Sequence, residues 1–315
     1  MTKTRAVVVD HDSPNRLVLR EVEAADPNPS EALVRVAAIS LNRGEVRRAT
    51  TLDEPGARPG WDLAGTIEQS AADGTGPSEG TRVVGFLPSG AWAERVSVPT
   101  DALAELPDGV SFEQASTLPV AGLTALYALE KRGSLVGRRV LVTGASGGAG
   151  LFALELARIA GAQVVALIRR QEHIELVREA GAHEVAMAED GAAAAEYGPY
   201  DLILESVGGA VLGNALSMLA PEGTCVSFGV SGGPEATFDV RSLFVTGGAS
   251  LYGFILFHEV LAHPASEGLA RLAKLVDEGH LTPRIEVVAD WTEIGEVAAR
   301  LMDRGFTGKA VLRVE

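Results

Sequence analysis

Cysteine is almost missing from this chain of 315 residues, where Cys225 stands alone. A single thiol excludes an internal disulfide and any multi-cysteine zinc cage. Basic residues are also scarce, 27 Lys and Arg against 42 Asp and Glu, for a net charge of −15. That excess of acid argues against nucleic acid as a partner, because nucleic-acid binding needs a basic footprint. It also means that an anionic ligand must be drawn in by local cations. No apolar run reaches the roughly 18 residues of a membrane span, and Met1-Thr-Lys-Thr-Arg5 begins no secretory signal. A cytoplasmic protein with no membrane partner is expected. The six histidines, His11, His173, His183, His258, His263 and His280, are scattered, and surface or solvated roles are expected for them.

Against these absences stands one glycine-rich stretch, Arg139-Val-Leu-Val-Thr-Gly-Ala-Ser-Gly-Gly-Ala-Gly150. Its apolar run, Val140–Val142, predicts a buried parallel strand. An apolar helix over Leu151–Ala160 and a second strand over Gln163–Ile168 follow. Strand, turn, helix and strand within about 30 residues form the setting in which such a turn binds a dinucleotide. The turn itself, Ala145-Ser146-Gly147-Gly148-Ala149-Gly150, reads A-x-G-x-x-G. Gly147 would let the backbone approach a pyrophosphate, and Gly150 would let the helix pack closely. The free N–H groups at the helix start would face the anion. The alternative is a tight strand-to-helix turn with no ligand. A rival pattern, T-G-x-x-x-G-x-G, also fits Thr143, Gly144, Gly148 and Gly150, and Tyr127 and Lys131 supply a Y-x-x-x-K. In short-chain dehydrogenases that pair follows the loop, whereas here it precedes it. Tyr127 and Lys131 therefore read as one face of an ordinary helix.

From Arg5 to about Pro107 the chain shows short strands at Arg5–Val9, Leu17–Val22, Ala32–Ile39, Asp62–Gln69, Arg82–Phe86 and Ala91–Val98. Helix is nearly absent from this reading, which predicts a small barrel-like β domain. From Phe112 helix and strand alternate, with strands at Val140–Val142, Val164–Ile168, Glu184–Ala186, Leu202–Leu204, Cys225–Phe228 and Ser250–Phe254. Six strands with the glycine turn after the first predict a doubly wound parallel sheet. Helices are expected at 171–180, 210–219, 267–278 and 294–303, and closing strands at 285–288 and 309–314. The last segment is expected to return to the first domain.

A β domain, an inserted nucleotide domain and a short return resemble the medium-chain dehydrogenase/reductase superfamily over essentially the whole chain. Pro59-Gly-Trp-Asp-Leu-Ala-Gly65, Gly80-Thr-Arg-Val-Val-Gly85 and Gly90-Ala-Trp-Ala-Glu94 look like its β-domain signatures. Leu118-Pro-Val-Ala-Gly-Leu-Thr-Ala125, Glu205-Ser-Val-Gly-Gly209 and Gly305-Phe-Thr-Gly-Lys309 look like its zinc-independent quinone-oxidoreductase branch. The resemblance implies an α/β protein with an N-terminal GroES-like β-barrel catalytic domain (1–117), a Rossmann domain (118–262) and a return to the catalytic domain (263–315). Zinc members of the superfamily hold a metal with Cys, His and Cys, and those positions fall here on Asn42, Trp61 and Val120. Trp and Val cannot ligate and Asn is a poor zinc ligand, so no metal is expected.

The implied reaction is NADPH-dependent hydride transfer to a quinone or to the C=C bond of an α,β-unsaturated carbonyl. A short-chain-type carbonyl reductase and a non-catalytic NADPH-binding redox sensor are the alternatives. The resemblance places Asn42 at the active site, bonding the nicotinamide ribose or the substrate; a turn residue is the other reading. Trp61 is expected to wall an apolar pocket or to belong to the β-domain core. Tyr252, the one tyrosine near a cofactor-lining motif, is a proton donor or a packing residue. For the cofactor, Ile168 stands where NAD enzymes place an acid, and Arg169 and Arg170 follow, suited to a 2′-phosphate. The resemblance also puts Thr124, Gly229 and Val230 beside the nicotinamide, Val207 along the cofactor, and Lys309 near the pyrophosphate. It further implies a homodimer, formed near Ser250–Phe254.

Overall fold

The computed structural model describes residues 3–24 and 26–314. It divides into two compact units, Met1–Leu123 with Val260–Glu315, and Thr124–Glu259.

The first unit begins with the antiparallel pair β1 (Lys3–Val9) and β2 (Leu17–Glu23). It continues through β3 (Glu31–Leu41), α1 (Arg43–Thr51), β4 (Asp62–Gln69), β5 (Arg82–Phe86), β6 (Arg95–Pro99), β7 (Leu103–Glu105) and α2 (Phe112–Ser116). β3 is the axis of this unit. Its first half alternates, with Ala32, Val34 and Val36 buried and Arg35 exposed, the period-2 pattern of a strand with one covered face. From Ile39 to Leu41 every residue is buried. The same strand changes partners along its length: Glu31–Arg35 pair with β6, while β4 runs along its other side. The expected near-absence of helix is corrected by α1. It buries only Glu45, Val46 and Ala49 and is otherwise rich in arginine and threonine, so it carries no apolar stripe that a sequence reading detects. The expected strand at Ala91–Val98 starts later, at Arg95, because Ala91, Trp92 and Ala93 are buried in the segment ahead of it.

The second unit runs through α3 (Leu123–Glu130), β8 (Arg139–Thr143), α4 (Gly148–Ile159), β9 (Gln163–Ile168), α5 (Ile174–Glu179) and β10 (Glu184–Met187). It continues with β11 (Tyr200–Glu205), α6 (Gly209–Leu216), β12 (Leu219–Ser227), α7 (Arg241–Thr246), β13 (Ser250–Gly253) and α8 (Leu256–Glu259). Its six strands are parallel in the order β10-β9-β8-β11-β12-β13. Counted within the unit this is 3-2-1-4-5-6, the doubly wound order, and it reverses between β8 and β11. Val140, Val142, Val164, Ala166, Leu202 and Leu204 are almost wholly buried, as a sheet covered on both faces requires. The helix expected to reach residue 219 stops at Leu216, because Leu219 already opens β12.

The chain then returns to the first unit with α9 (Ala265–Asp277), β14 (Ile285–Asp290), α10 (Ile294–Met302) and β15 (Lys309–Arg313). β15 lies between β14, to which it is parallel, and the Ala38–Leu41 half of β3, to which it is antiparallel. The core of this unit therefore mixes residues from both ends of the chain, among them Val34, Ile39, Trp92, Trp291 and Leu312. Among the described residues no helix is long and apolar enough to cross a membrane.

Candidate functional site

In the second unit the site is built on the turn between β8 and α4, at the reversal of strand order. Gly144 leaves the strand with φ +57°, and Gly147 caps α4 in extended backbone. Gly150 is the third residue of the helix, within its first turn. A Cβ there would stand 2.5 Å from the Gly144 carbonyl oxygen and 2.8 Å from Ala145 Cα, so only glycine lets the helix rest on the turn. Ala145 is buried, Ser146, Gly148 and Ala149 are half-buried and Gly147 is exposed, which leaves the first N–H groups of α4 at an accessible surface.

Glu205, at the end of β11, holds the neighbouring loop against this turn. Its Oε1 accepts from the Val207 N–H at 2.7 Å, the Gly208 N–H at 2.9 Å and Thr143 Oγ1 at 3.2 Å. Thr143 Oγ1 in turn accepts from the Ser206 N–H at 2.9 Å. Burial raises the Glu205 carboxyl above its ordinary pKa, and these hydrogen bonds pull the other way. The loop after β12 closes on the same place. A Cβ on Gly229 would lie 2.5 Å from the Ser206 carbonyl oxygen, and the Gly232 N–H donates to Val207 O at 2.6 Å. Val207, Gly229 and the Ala145–Gly150 turn are thus brought together. Val230 is exposed, and Thr124 is buried at the start of α3.

Arg169 and Arg170 emerge exposed at the end of β9, directly after the buried Ile168. β9 lies beside β8, with Leu167 opposite Thr143, so the arginines leave the sheet next to the glycine turn. Tyr252, on β13, is not a lone hydroxyl. It donates to Glu259 Oε1 at 2.6 Å, and Lys131 Nζ, 2.5 Å from Glu259 Oε2, lies 4.7 Å from the centre of the tyrosine ring. Burial tends to raise the Glu259 carboxyl, but the bonds from Lys131 and Tyr252 prevail and hold it below its ordinary value. Lys131, expected on the face of an ordinary helix, forms this ion pair just past the end of α3.

In the first unit a second polar cluster gathers around Asn42, the residue ahead of α1. Its side-chain N–H groups donate to Asp62 Oδ2 at 2.7 Å and to Glu45 Oε1 at 2.9 Å. Its Oδ1 accepts from Lys309 Nζ at 2.6 Å. Asp62 Oδ2 also accepts from Ser40 Oγ, and Asp62 Oδ1 accepts from the Val120 N–H. The amide orientation is fixed by charge, since turning it over would set its oxygen against carboxylates and its nitrogen against an ammonium. Both donors are occupied, so Asn42 has only acceptor capacity left. Glu45 is buried; desolvation, and after it the charge of Asp62, pushes its carboxyl well above the ordinary range. Its Oε2 has no hydrogen-bond partner.

Lys309 corrects an expectation. It is 3% exposed, and its ammonium donates to Leu41 O at 3.1 Å, Asn42 Oδ1 at 2.6 Å and Asp62 Oδ2 at 3.4 Å. All three donors are satisfied inside the first unit, and none is left for a pyrophosphate. Trp61 is half-buried, with its ring against Gly44, where a Cβ would approach the indole to 3.2 Å. The residues at the positions of a catalytic zinc do not fit the ion. Asn42 is engaged, Trp61 and Val120 cannot ligate, and the Lys309 ammonium already supplies the local positive charge. Among the described residues no group of three or more His, Cys, Asp or Glu could hold a metal. Glu45, Asp62, Glu205 and Glu259 were not singled out from sequence. The signal available was an Asn-x-x-Glu at 42–45, the capping pattern of a helix start.

Comparison with known proteins supports the architecture. Residues 28–108 match the alcohol dehydrogenase GroES-like domain, and residues 148–274 match the zinc-binding dehydrogenase family. A quinone oxidoreductase from Pseudomonas aeruginosa is 30% identical, across 96% of this chain and 97% of that protein. A mycocerosic acid synthase-like polyketide synthase of Mycobacterium tuberculosis is 32% identical over 88% of this chain, a stretch that makes up 14% of that protein. A mycobacterial protein solved in complex with NADPH superposes with a TM-score of 0.87 at 26% identity, over 99% of this chain and 100% of that one. With a GroES-like β domain, a doubly wound parallel sheet and a near-full-length quinone oxidoreductase relative, the chain belongs to the medium-chain dehydrogenase/reductase superfamily, in its quinone-oxidoreductase-like branch.

Proposed function

We propose that this protein is an NADPH-dependent, zinc-independent oxidoreductase that delivers hydride to a quinone or to the β-carbon of an α,β-unsaturated carbonyl. The observation that carries the proposal is the β8–α4 turn, packed through Gly150 and flanked by an exposed arginine pair where an NAD enzyme would carry an acid. The P. aeruginosa relative and the NADPH complex of the mycobacterial protein support it. Bound NADPH would supply the hydride. The first N–H groups of α4 would hold its pyrophosphate, Arg169 and Arg170 its 2′-phosphate, and Thr124, Val207, Gly229 and Val230 would line its nicotinamide half.

The choice of acceptor follows from the charge that develops. An isolated ketone would place it on one oxygen, and the residues at the zinc positions offer no electrophile to hold it. A conjugated acceptor spreads it, and one or two hydrogen bonds suffice. Asn42 and Trp61 are the proposed substrate-side residues of the first unit. Because Asn42 has only acceptor capacity, it would bind a hydroxyl or an N–H, and a backbone N–H would meet the carbonyl oxygen. The Tyr252 O–H is committed to Glu259, which makes water the better source of the final proton. Deuteride from C4-labelled NADPH should appear on the β-carbon of an enone product. Label found only at a carbinol carbon, or plain ketones reacting faster than enones, would overturn the proposal.

A homodimer through β13 belongs to the same reading. β13 has a partner on one side only, Leu251 is 44% exposed, and Phe244 and Val245 of α7 are exposed shortly before it. A second copy could pair along this edge. Light scattering should give twice the chain mass, and L251K should reduce it to one; a monomeric wild type would refute this.

A further inference from the structure

The segment after β9 holds more than two arginines. Glu172 Oε1 accepts from Arg170 Nη1 at 3.3 Å and lies 3.7 Å from His173 Nε2, so one carboxylate oxygen sits on the guanidinium with the imidazole beside it. Backbone geometry keeps the three together, since the His173 N–H donates to Arg170 O at 3.1 Å. The Glu172 side chain is 67% exposed and that of Arg170 52%, while His173 is 14% exposed and therefore fixed in place. A carboxylate oxygen and a phosphate oxygen make the same demand on a guanidinium, a negative acceptor at hydrogen-bond distance. We infer that Glu172 is a built-in stand-in for the 2′-phosphate, occupying the anion seat of Arg170 and His173 until the phosphate displaces it, so that Glu172 and His173 set how strongly NADPH is preferred.

This rests on the NADPH reading given above. An ion pair as exposed as Arg170–Glu172 is weak and salt-screened, so its carboxylate can swing into solvent when a dianion arrives. Burial, with Arg170 and Arg169, outweighs the pull of Glu172 and holds His173 below its ordinary pKa. Beyond these four residues, Glu189 and Asp190 are the acids that follow the end of the adjoining strand β10. They follow Ala188, whose N–H bonds Ile168 O. Glu172 is the acid whose oxygen is bonded to Arg170 and stands beside His173.

The test is a fluorescence titration of the whole protein with NADPH and, separately, NADH. E172Q should lower the Kd for NADPH about three- to five-fold, the size of an exposed ion pair, and leave NADH unchanged. The gain should shrink in high salt. H173L should weaken NADPH alone. An unchanged NADPH Kd in E172Q, an equal shift for both cofactors, or an unchanged NADPH Kd in H173L would each overturn the inference. R169A/R170A separates the two levels. If that double variant binds NADPH as well as wild type, the NADPH reading itself fails. If it loses NADPH while E172Q has no effect, only the role of Glu172 fails.

Discussion

Glu45 makes the sharpest stability prediction, because the sign of its pH dependence is set by burial. Its carboxyl is enclosed, its Oε1 accepts from the Asn42 N–H at 2.7 Å and from the Asn42 side chain at 2.9 Å, and its Oε2 meets no partner. Desolvation and the nearby Asp62 charge raise its folded pKa well above the ordinary carboxyl value. A group raised in the folded state contributes its full stability below the unfolded pKa, about 4.3, and loses it as pH rises toward the folded pKa. Wild type therefore loses about 1.4 kcal/mol per pH unit across that window, relative to a protein without the titration. E45Q is such a protein: it keeps the Oε1 acceptor and puts an uncharged nitrogen where Oε2 stands. The difference in unfolding free energy, E45Q minus wild type, should rise steadily from pH 5 upward. Urea unfolding followed by tryptophan fluorescence reads the right unit, since all three tryptophans, Trp61, Trp92 and Trp291, lie in the first unit. A difference that stays flat from pH 5 to 8, or falls, would show that Glu45 is ionised throughout and would refute the reasoning.

Three further outcomes are expected. G150A should cost about 1–3 kcal/mol and abolish NADPH binding, because its Cβ would press on turn backbone that cannot yield, whereas G147A, with 3.2 Å to Gly144 O, should bind measurably; calorimetry distinguishes the two. R169A/R170A should raise the Kd for NADPH and barely alter that for NADH, measured by the same titration. Extended chelation should leave activity intact and elemental analysis should find no stoichiometric zinc; activity lost to chelator and restored by zinc would contradict the reading of Asn42, Trp61 and Val120.

What the sequence disclosed followed the range of the signal. Val140–Val142, Val164–Ile168 and Leu202–Leu204 are apolar runs that announce buried strands by themselves, and the Ala145–Gly150 turn lies between two of them. The first-unit cluster has no such local mark. Asn42 meets Asp62 across 20 residues and Lys309 across 267, and each residue read alone suggests something else. The family resemblance puts Lys309 near a pyrophosphate, whereas its burial against Leu41, Asn42 and Asp62 assigns it to the interior of the first unit. Tyr252 could be named as a hydroxyl near the cofactor motifs, but its bond to Glu259 depends on how α8 folds back on β13. The helix α1 escaped notice because arginines and threonines cover all but one narrow face.

The position of β15 has a consequence for how the protein is made. Ribosomes release β3 about 270 residues before Lys309–Arg313, yet β3 needs that strand along its Ala38–Leu41 half. The whole of Thr124–Glu259 can condense outside the exit tunnel while the Ala38–Leu41 edge of β3, wholly buried in the finished fold, is still open. An edge of that kind is a site for mispairing with another nascent chain. Until β15 inserts, Asp62 and Asn42 also lack their cation. The emergence of β15, and not that of the N-terminal strands, is then the moment at which the first unit can close.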